Sequence, residues 1–356
     1  MTPRVSDADC IAAVEAMRIS RTQDEAAERI GKSRESLQRR LRLYEERGLG
    51  GSPSPSPSPS PAELADAYKP DAPDISPREM PKYRVVAPAS DKLLRVLVIG
   101  DAHDHPGIPD KSRFSLIGKL AAAERHDVIV SIGDFLDLHS LCSHTREDTY
   151  KGKAKPSFAQ DIDSAAQAMA ALEAELPTDY KPRKHIVFGN HEARAWRYED
   201  CNPAAVGQFT GQVENVFESY GWTHQGFGHW TMVGGVGFTH VPRTIMSRPV
   251  GGKNVENTVA NEATFDIVFG HSHRHNVVHR AKHGYNNSVT VVNTGTAMPP
   301  GYVADYAEGL PTGYHYGVVE LVIFDGRMQS AVFRSFRELG IRFLAKALGR
   351  SASAAA

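Results

Sequence analysis

The 356-residue chain has little cysteine, no excess of either charge and no long apolar run, and each shortage removes a class of protein. Cys10, Cys142 and Cys201 form neither a paired framework nor a Cys-x-x-Cys knuckle, so disulfides are not expected and any metal must be held by other residues. The 41 Lys and Arg nearly cancel the 42 Asp and Glu, which leaves only local patches to attract nucleic acid or membrane. No uninterrupted apolar stretch approaches the ~20 residues that span a bilayer. The N-terminal Met-Thr-Pro-Arg-Val-Ser-Asp also lacks the apolar core of an export signal. A cytoplasmic protein with no membrane partner is expected.

What is present divides the chain. Ser52 to Pro61 is a run of Ser-Pro repeats that cannot be helical, because proline removes donors and restricts the residue before it. With the Pro and Asp residues that follow, it predicts an extended linker over 49–90. Before it, Ala8 to Met17, Thr22 to Ile30 and Ser33 to Glu46 carry apolar residues at helical spacing, with Gly31 as a turn and Ser33 as a cap. A small all-α module over 1–48 is expected.

After the linker, β-branched runs (Leu93 to Ile99, Val128 to Ile132, His185 to Phe188, Ile267 to Phe269) alternate with helical stretches such as Arg113 to Glu124 and Phe158 to Leu176. That alternation predicts an α/β domain over 91–340. Two hairpins follow the same pattern of turns: His229 to Met232 with Gly237 to His240, and Gly317 to Phe324 with Met328 to Phe336. They imply a second, more antiparallel sheet. Residues 341–356 are expected to be a helix end and a frayed tail.

Each β-run ends in residues that bind hard or borderline metals. Leu-Val-Ile-Gly100 leads into Asp101-Ala102-His103, Val-Ser-Ile-Gly133 into Asp134-Phe135-Leu136-Asp137, and Ile-Val-Phe-Gly189 into Asn190-His191-Glu192. Gly237-Phe238-Thr239 delivers His240, and Ile-Val-Phe-Gly270 delivers His271-Ser272-His273. In an open α/β sheet the strand carboxyl ends converge on one edge, so these separated segments meet in one crevice. Mixed carboxylate and imidazole ligands suit Mn, Fe, Zn or Ni rather than Ca, and a bridging carboxylate permits an ion pair ~3.5–4 Å apart. A lone Asp-x-His is usually surface chemistry; the ordered set is not.

This ordered set resembles the full signature of calcineurin-like metallophosphoesterases over roughly Leu93 to Phe336. The resemblance implies a four-layer α/β/β/α sandwich of two mixed sheets flanked by helices. It implies two divalent or trivalent transition-metal ions, with Mn foremost and Fe, Zn or Ni as alternatives. Asp101, His103 and His273 would hold the first ion, Asn190, His240 and His271 the second, and Asp134 would bridge them. His191 would then be the catalytic group that protonates the leaving group or steadies the developing charge, oriented by Asp137. One position departs from the phosphoprotein phosphatases of this family, where a phosphate-clamping Arg follows the last Asp of the second motif. Here it is Leu138. Arg194 is the substrate-binding candidate to replace it, with Arg197, His139, His144 and Arg274 also near the motifs.

The other histidines (His105, His139, His144, His224, His229, His275) are expected to be exposed or core-satisfied. Glu192 is expected in the first turn of a helix, where the dipole favours a carboxylate.

Thr22 to Leu41 resembles the Fis-type helix-turn-helix, with Ala26 where two helices cross. Lys32, Arg34, Arg39, Arg40 and Arg42 stand against Glu35 alone, which favours phosphate contact. Arg34, Gln38, Arg39 and Arg40 are the DNA-binding candidates; a protein-binding bundle is the alternative. Together these features predict a phosphodiesterase or nuclease acting near DNA, a pairing that fits a phage or prophage. The rivals are a phosphomonoesterase or small-nucleotide hydrolase, and a DNA-binding regulator carrying an inactive phosphoesterase scaffold.

Overall fold

The computed structural model describes residues 5–20, 22–49, 83–143, 148–285, 287–303, 307 and 312–347. The chain divides into two compact units, Met1–Arg78 and Glu79–Ala356. The Ser-Pro run, His144 and the expected frayed tail from 348 lie outside the described residues.

In the first unit, helices α1 (Asp7–Arg18), α2 (Gln23–Arg29) and α3 (Arg34–Glu46) form where the spacing predicts them. The hydroxyls of Ser6, Thr22 and Ser33 accept the backbone N–H groups of Asp9, Glu25 and Ser36, satisfying donors that each first turn would leave orphaned. Small side chains let the helices pack closely: Ala13, Ala16, Ala26 and Ala27 surround Leu37. Arg40 departs from the expected DNA-contacting set. It is buried, with its guanidinium donating to the Ser36 carbonyl at 3.0 Å and to the Ser36 hydroxyl. A long aliphatic stem covering the module's core while the head bonds one turn back accounts for this. Arg34, Gln38 and Arg39 remain exposed.

The second unit contains two mixed sheets. One has the order β12 (Arg327–Ser335), β11 (Gly317–Phe324), β2 (Leu94–Ile99), β3 (Val128–Ser131), β4 (Arg183–Val187), β5 (Thr223–Gln225). The other runs β1 (Tyr83–Ala87), β6 (Trp230–Val233), β7 (Val236–Thr239), β8 (Ile267–Phe269), β10 (Ser288–Thr294), β9 (His275–Ala281).

Strand periodicity builds the layers. In β2, Leu97 and Ile99 face helices and pack with Phe114, Ile117 and Leu120 of α4 (Ser112–Glu124) and with Met169 and Leu172 of α5 (Phe158–Glu173). The alternate residues Val96 and Val98 meet Val233, Phe238 and Val268 of the other sheet. A period of two thus buries both faces, and each such side chain contributes ~1.5–3 kcal/mol on leaving water. Beyond the second sheet, Val255, Val259 and Ala260 of α6 (Val255–Glu262) cover Ile267, Phe269, Val289 and Val291. Helix, sheet, sheet and helix are the four layers that the resemblance implies.

Two expectations change. The linker predicted over 49–90 ends earlier, because Tyr83–Ala87 pairs in parallel with β6 as an edge strand. The two hairpins also do not share one antiparallel sheet: β11 pairs with β2 and extends the sheet of β3 and β4, while β6 and β7 belong to the other. The sheets are joined in the interior by His185 of β4, whose Nδ1 lies 2.8 Å from the Thr223 hydroxyl and Nε2 2.9 Å from the Thr231 hydroxyl of β6.

Candidate metal centre

The loops after β2, β3 and β4, which are mutually parallel, and those after β7 and β8, also parallel, deliver the chemistry. The structure brings Asp101, His103, Asp134, Asn190, His240, His271 and His273 together. His103 Nε2 lies 3.0 Å from His273 Nε2, which lies 3.2 Å from Asp101 Oδ2. His240 Nε2 lies 3.1 Å from Asp134 Oδ2 and 3.0 Å from Asn190 Oδ1. The His240 and His271 rings stand 5.3 Å apart.

Among the described residues, ligand-type atoms fall into three overlapping groups, each within 4.8 Å: Asp101, His103 and His273; His103, Asp134 and His191; Asp134, His240 and His271. Asp134 belongs to two of them, as a bridging carboxylate must. His191 joins one, so distance alone qualifies it as a metal ligand as well as a proton donor.

Several features fit a cation here. The Asp101 carboxylate is fully buried, with His273 Nε2 at 3.2 Å and His240 Nδ1 at 3.7 Å, and a buried carboxylate needs positive charge beside it. His240 Nδ1 donates to the Ile132 carbonyl at 2.9 Å, so Nε2, which faces Asp134 Oδ2 and Asn190 Oδ1, is the nitrogen placed to bind a metal. Burial opposes a proton on His240, yet the Asp134 and Asp101 carboxylates carry it up to about 9, so the pocket's field favours positive charge. Burial, then the neighbouring His191, holds His103 down at about 4, leaving it neutral as ligation requires. His103, Asp134, His271 and His273 all adopt left-handed backbone angles (φ 42°, 47°, 70° and 59°), and strain of this kind persists where a site requires it.

Two glycines are needed for the close approach. A Cβ at Gly189 would sit 2.1 Å from Asp134 Oδ1, and one at Gly270 would sit 2.5 Å from Asp101 Oδ1.

Asp137 serves two rings. Its Oδ1 lies 2.8 Å from His191 Nδ1 and 3.3 Å from His103 Nδ1. Burial opposes its charge, but these two imidazoles hold its carboxyl well below the usual range. Arg194 is at the site: it donates to the Asp137 carbonyl at 2.6 Å, and its Nη2 lies 3.3 Å from His191 Nε2. Arg197 is turned to the Asn190 carbonyl at 2.9 Å and Arg274 to that of Gly252. His139 lies 4.0 Å from Asp137, and His105 bonds the Tyr302 hydroxyl at 2.9 Å.

Sequence reasoning missed two anchors. Glu192 stands at the N-cap of the helix Ala193–Cys201, at the helix start where it is expected, but its carboxylate is turned inward as a fully buried acceptor for the N–H groups of Asp134, Leu136 and Gly189, at 2.9, 2.9 and 2.8 Å. Asp104 is buried between Lys111, Arg113 and Ser164, while its carbonyl accepts the N–H of Asp137. Their only trace in the sequence is a carboxylate directly after a ligand-bearing turn. A cavity of about 530 Å³ between Leu94, Arg125, Arg183 and Gly234 contains none of these site residues in its lining.

The sequence pattern of the calcineurin-like phosphoesterase family matches residues 94–288. No curated protein sequence matches the chain. Among solved structures, a dimetal phosphatase from Danio rerio aligns with 68% of this chain and 96% of its own, at 12% identity and a TM-score of 0.35. No helix among the described residues is long and apolar enough to cross a membrane. Because the family pattern spans more than half of the 356 residues and includes the loops after β2, β3, β4, β7 and β8, the chain belongs to the calcineurin-like phosphoesterases and is a metal-dependent phosphoester hydrolase.

Proposed function

We propose that the chain is a dinuclear phosphodiesterase or nuclease working near DNA, with Mn as its preferred metal. The observation that carries the dinuclear reading is Asp134, common to two donor groups and beside His191. Asp101, His103 and His273 would hold one ion and Asn190, His240 and His271 the other, with Asp134 shared between the two sets. Bound there, the ion pair supplies Lewis acidity and lowers the pKa of water toward neutrality.

The chain's own groups do the rest. His191 gives a proton to the departing oxygen from Nε2, because Nδ1 is committed to Asp137. Asp137 fixes that ring and, through His103, one side of the metal site. Arg194 offers the phosphate a forked guanidinium in place of the Arg that Leu138 displaces, and its bonds to the Asp137 and Leu138 carbonyls aim it beside His191. The diester preference and the DNA association rest on the three-helix module with its exposed Arg34, Gln38 and Arg39.

Purified protein loaded with Mn²⁺ is to be compared on bis-p-nitrophenyl phosphate and p-nitrophenyl phosphate. Preference for the diester is expected. A strong monoester preference favours a phosphomonoesterase, and failure to hold transition metal above background would leave only a scaffold.

A further inference from the structure

Beside His271 lies a cavity of about 320 Å³, at the small end of the range for ligand sites. Its apolar wall is Pro242, Val250, Val255 and Phe269, and its polar lining includes His271 and Arg274. None of His103, Asp137, His191 or Arg194 contributes to it. The cavity therefore opens at the His271 end of the donor groups, whereas the proton donor belongs to the group with His103.

We infer that this cavity receives the ester group that stays on the phosphorus, and that it selects a planar ring, an aryl or nucleobase moiety. The inference deepens the diester reading above and rests on it. The group that leaves must take its proton from His191, so it sits at the opposite end; a group lodged beside His271 is the one retained. A monoester has no such group. Shape and chemistry specify a flat, partly apolar occupant: aliphatic and aromatic side chains form one wall, and Gly251 and Gly252 contribute backbone without side chains. Arg274 Nη2 donates to the Gly252 carbonyl at 2.9 Å, which holds the guanidinium against that loop as a plane on which a ring can stack.

The test varies the retained group at a fixed leaving group. Methyl, phenyl and 5′-thymidyl p-nitrophenyl phosphates are turned over by the Mn²⁺-loaded full chain, and kcat/KM is expected to rise by about tenfold or more from methyl to the two ring-bearing esters. Gly251→Trp places an indole at the glycine edge of the cavity to compete with the ring, and a Cβ there meets nothing within 4 Å. Arg274→Ala removes the stacking plane. Each should bring the ring-to-methyl ratio down toward one, with metal content measured alongside to verify the fold. A ratio near one in the unsubstituted protein, or one that neither substitution changes, overturns the subsite. Turnover of p-nitrophenyl phosphate with no turnover of any diester instead overturns the diester reading, a separate outcome.

Discussion

Glu192 bonds the backbone of the second metal-binding loop to that of the third, accepting from Asp134, Leu136 and Gly189. Glu192→Ala would strand those buried donors at ~1–3 kcal/mol each. It would also loosen the loop that aims Asp134. The expected outcome is a lower melting temperature together with a ~10–100-fold loss of Mn²⁺ affinity. Unchanged values in both would show that the loops hold themselves. His191 divides differently: His191→Ala should keep both metals and lose ~10² or more in turnover, as removal of a positioned proton donor does. Loss of one equivalent of metal would make it a ligand, as its distance from Asp134 also permits. The convergence of the candidate ligands was legible in the sequence because each follows the end of a strand run. Glu192, Asp104 and the inward turn of Arg40 were not, since their roles depend on backbone donors and packing that no local pattern encodes.

At the level of elements, β-branched runs alternating with helical stretches announced an α/β sheet domain, and β2 and β3 lie in one sheet with both faces buried. The edge strand Tyr83–Ala87 was hidden by the proline-rich stretch before it. Which sheet each hairpin joins was equally invisible, because pairing with β2 is a tertiary choice. His185 is the element-level device with a measurable consequence. In the unfolded chain it titrates near 6.5; burial, then nearby Arg84, holds it at about 3 in the folded protein. Between those values the unfolded state binds a proton that the native state refuses, so stability is full above pH 6.5 and declines as the solution becomes more acidic. The decline attributable to this residue approaches ~1.4 kcal/mol per pH unit. His185→Gln, which can still bond Thr223 and Thr231, should flatten the acid limb of a stability profile measured from pH 7 to 4; an unchanged slope would mean that other groups govern it.

For the whole molecule, near-neutral overall charge means that any DNA association must come from a local patch. The first unit exposes Arg34, Gln38 and Arg39, while Arg40 is spent internally on Ser36. Arg34 faces Asp24 at 3.6 Å in an exposed pair, an interaction worth only ~0–1 kcal/mol, so a DNA phosphate can displace it. Tethering of this kind would raise the local concentration of phosphodiester without any new contact in the metal centre. The full chain should therefore bind duplex DNA with an affinity that falls steeply between 50 and 200 mM salt, roughly in proportion to the phosphates contacted. Arg34→Ala and Arg39→Ala should each weaken binding and reduce the slope of log affinity against log salt by about one. Gel-shift titrations at several salt concentrations measure this, with DNA turnover normalised to that of a small diester. Binding that is absent, or indifferent to both salt and these substitutions, would reassign the module to a protein partner and leave the hydrolase untethered.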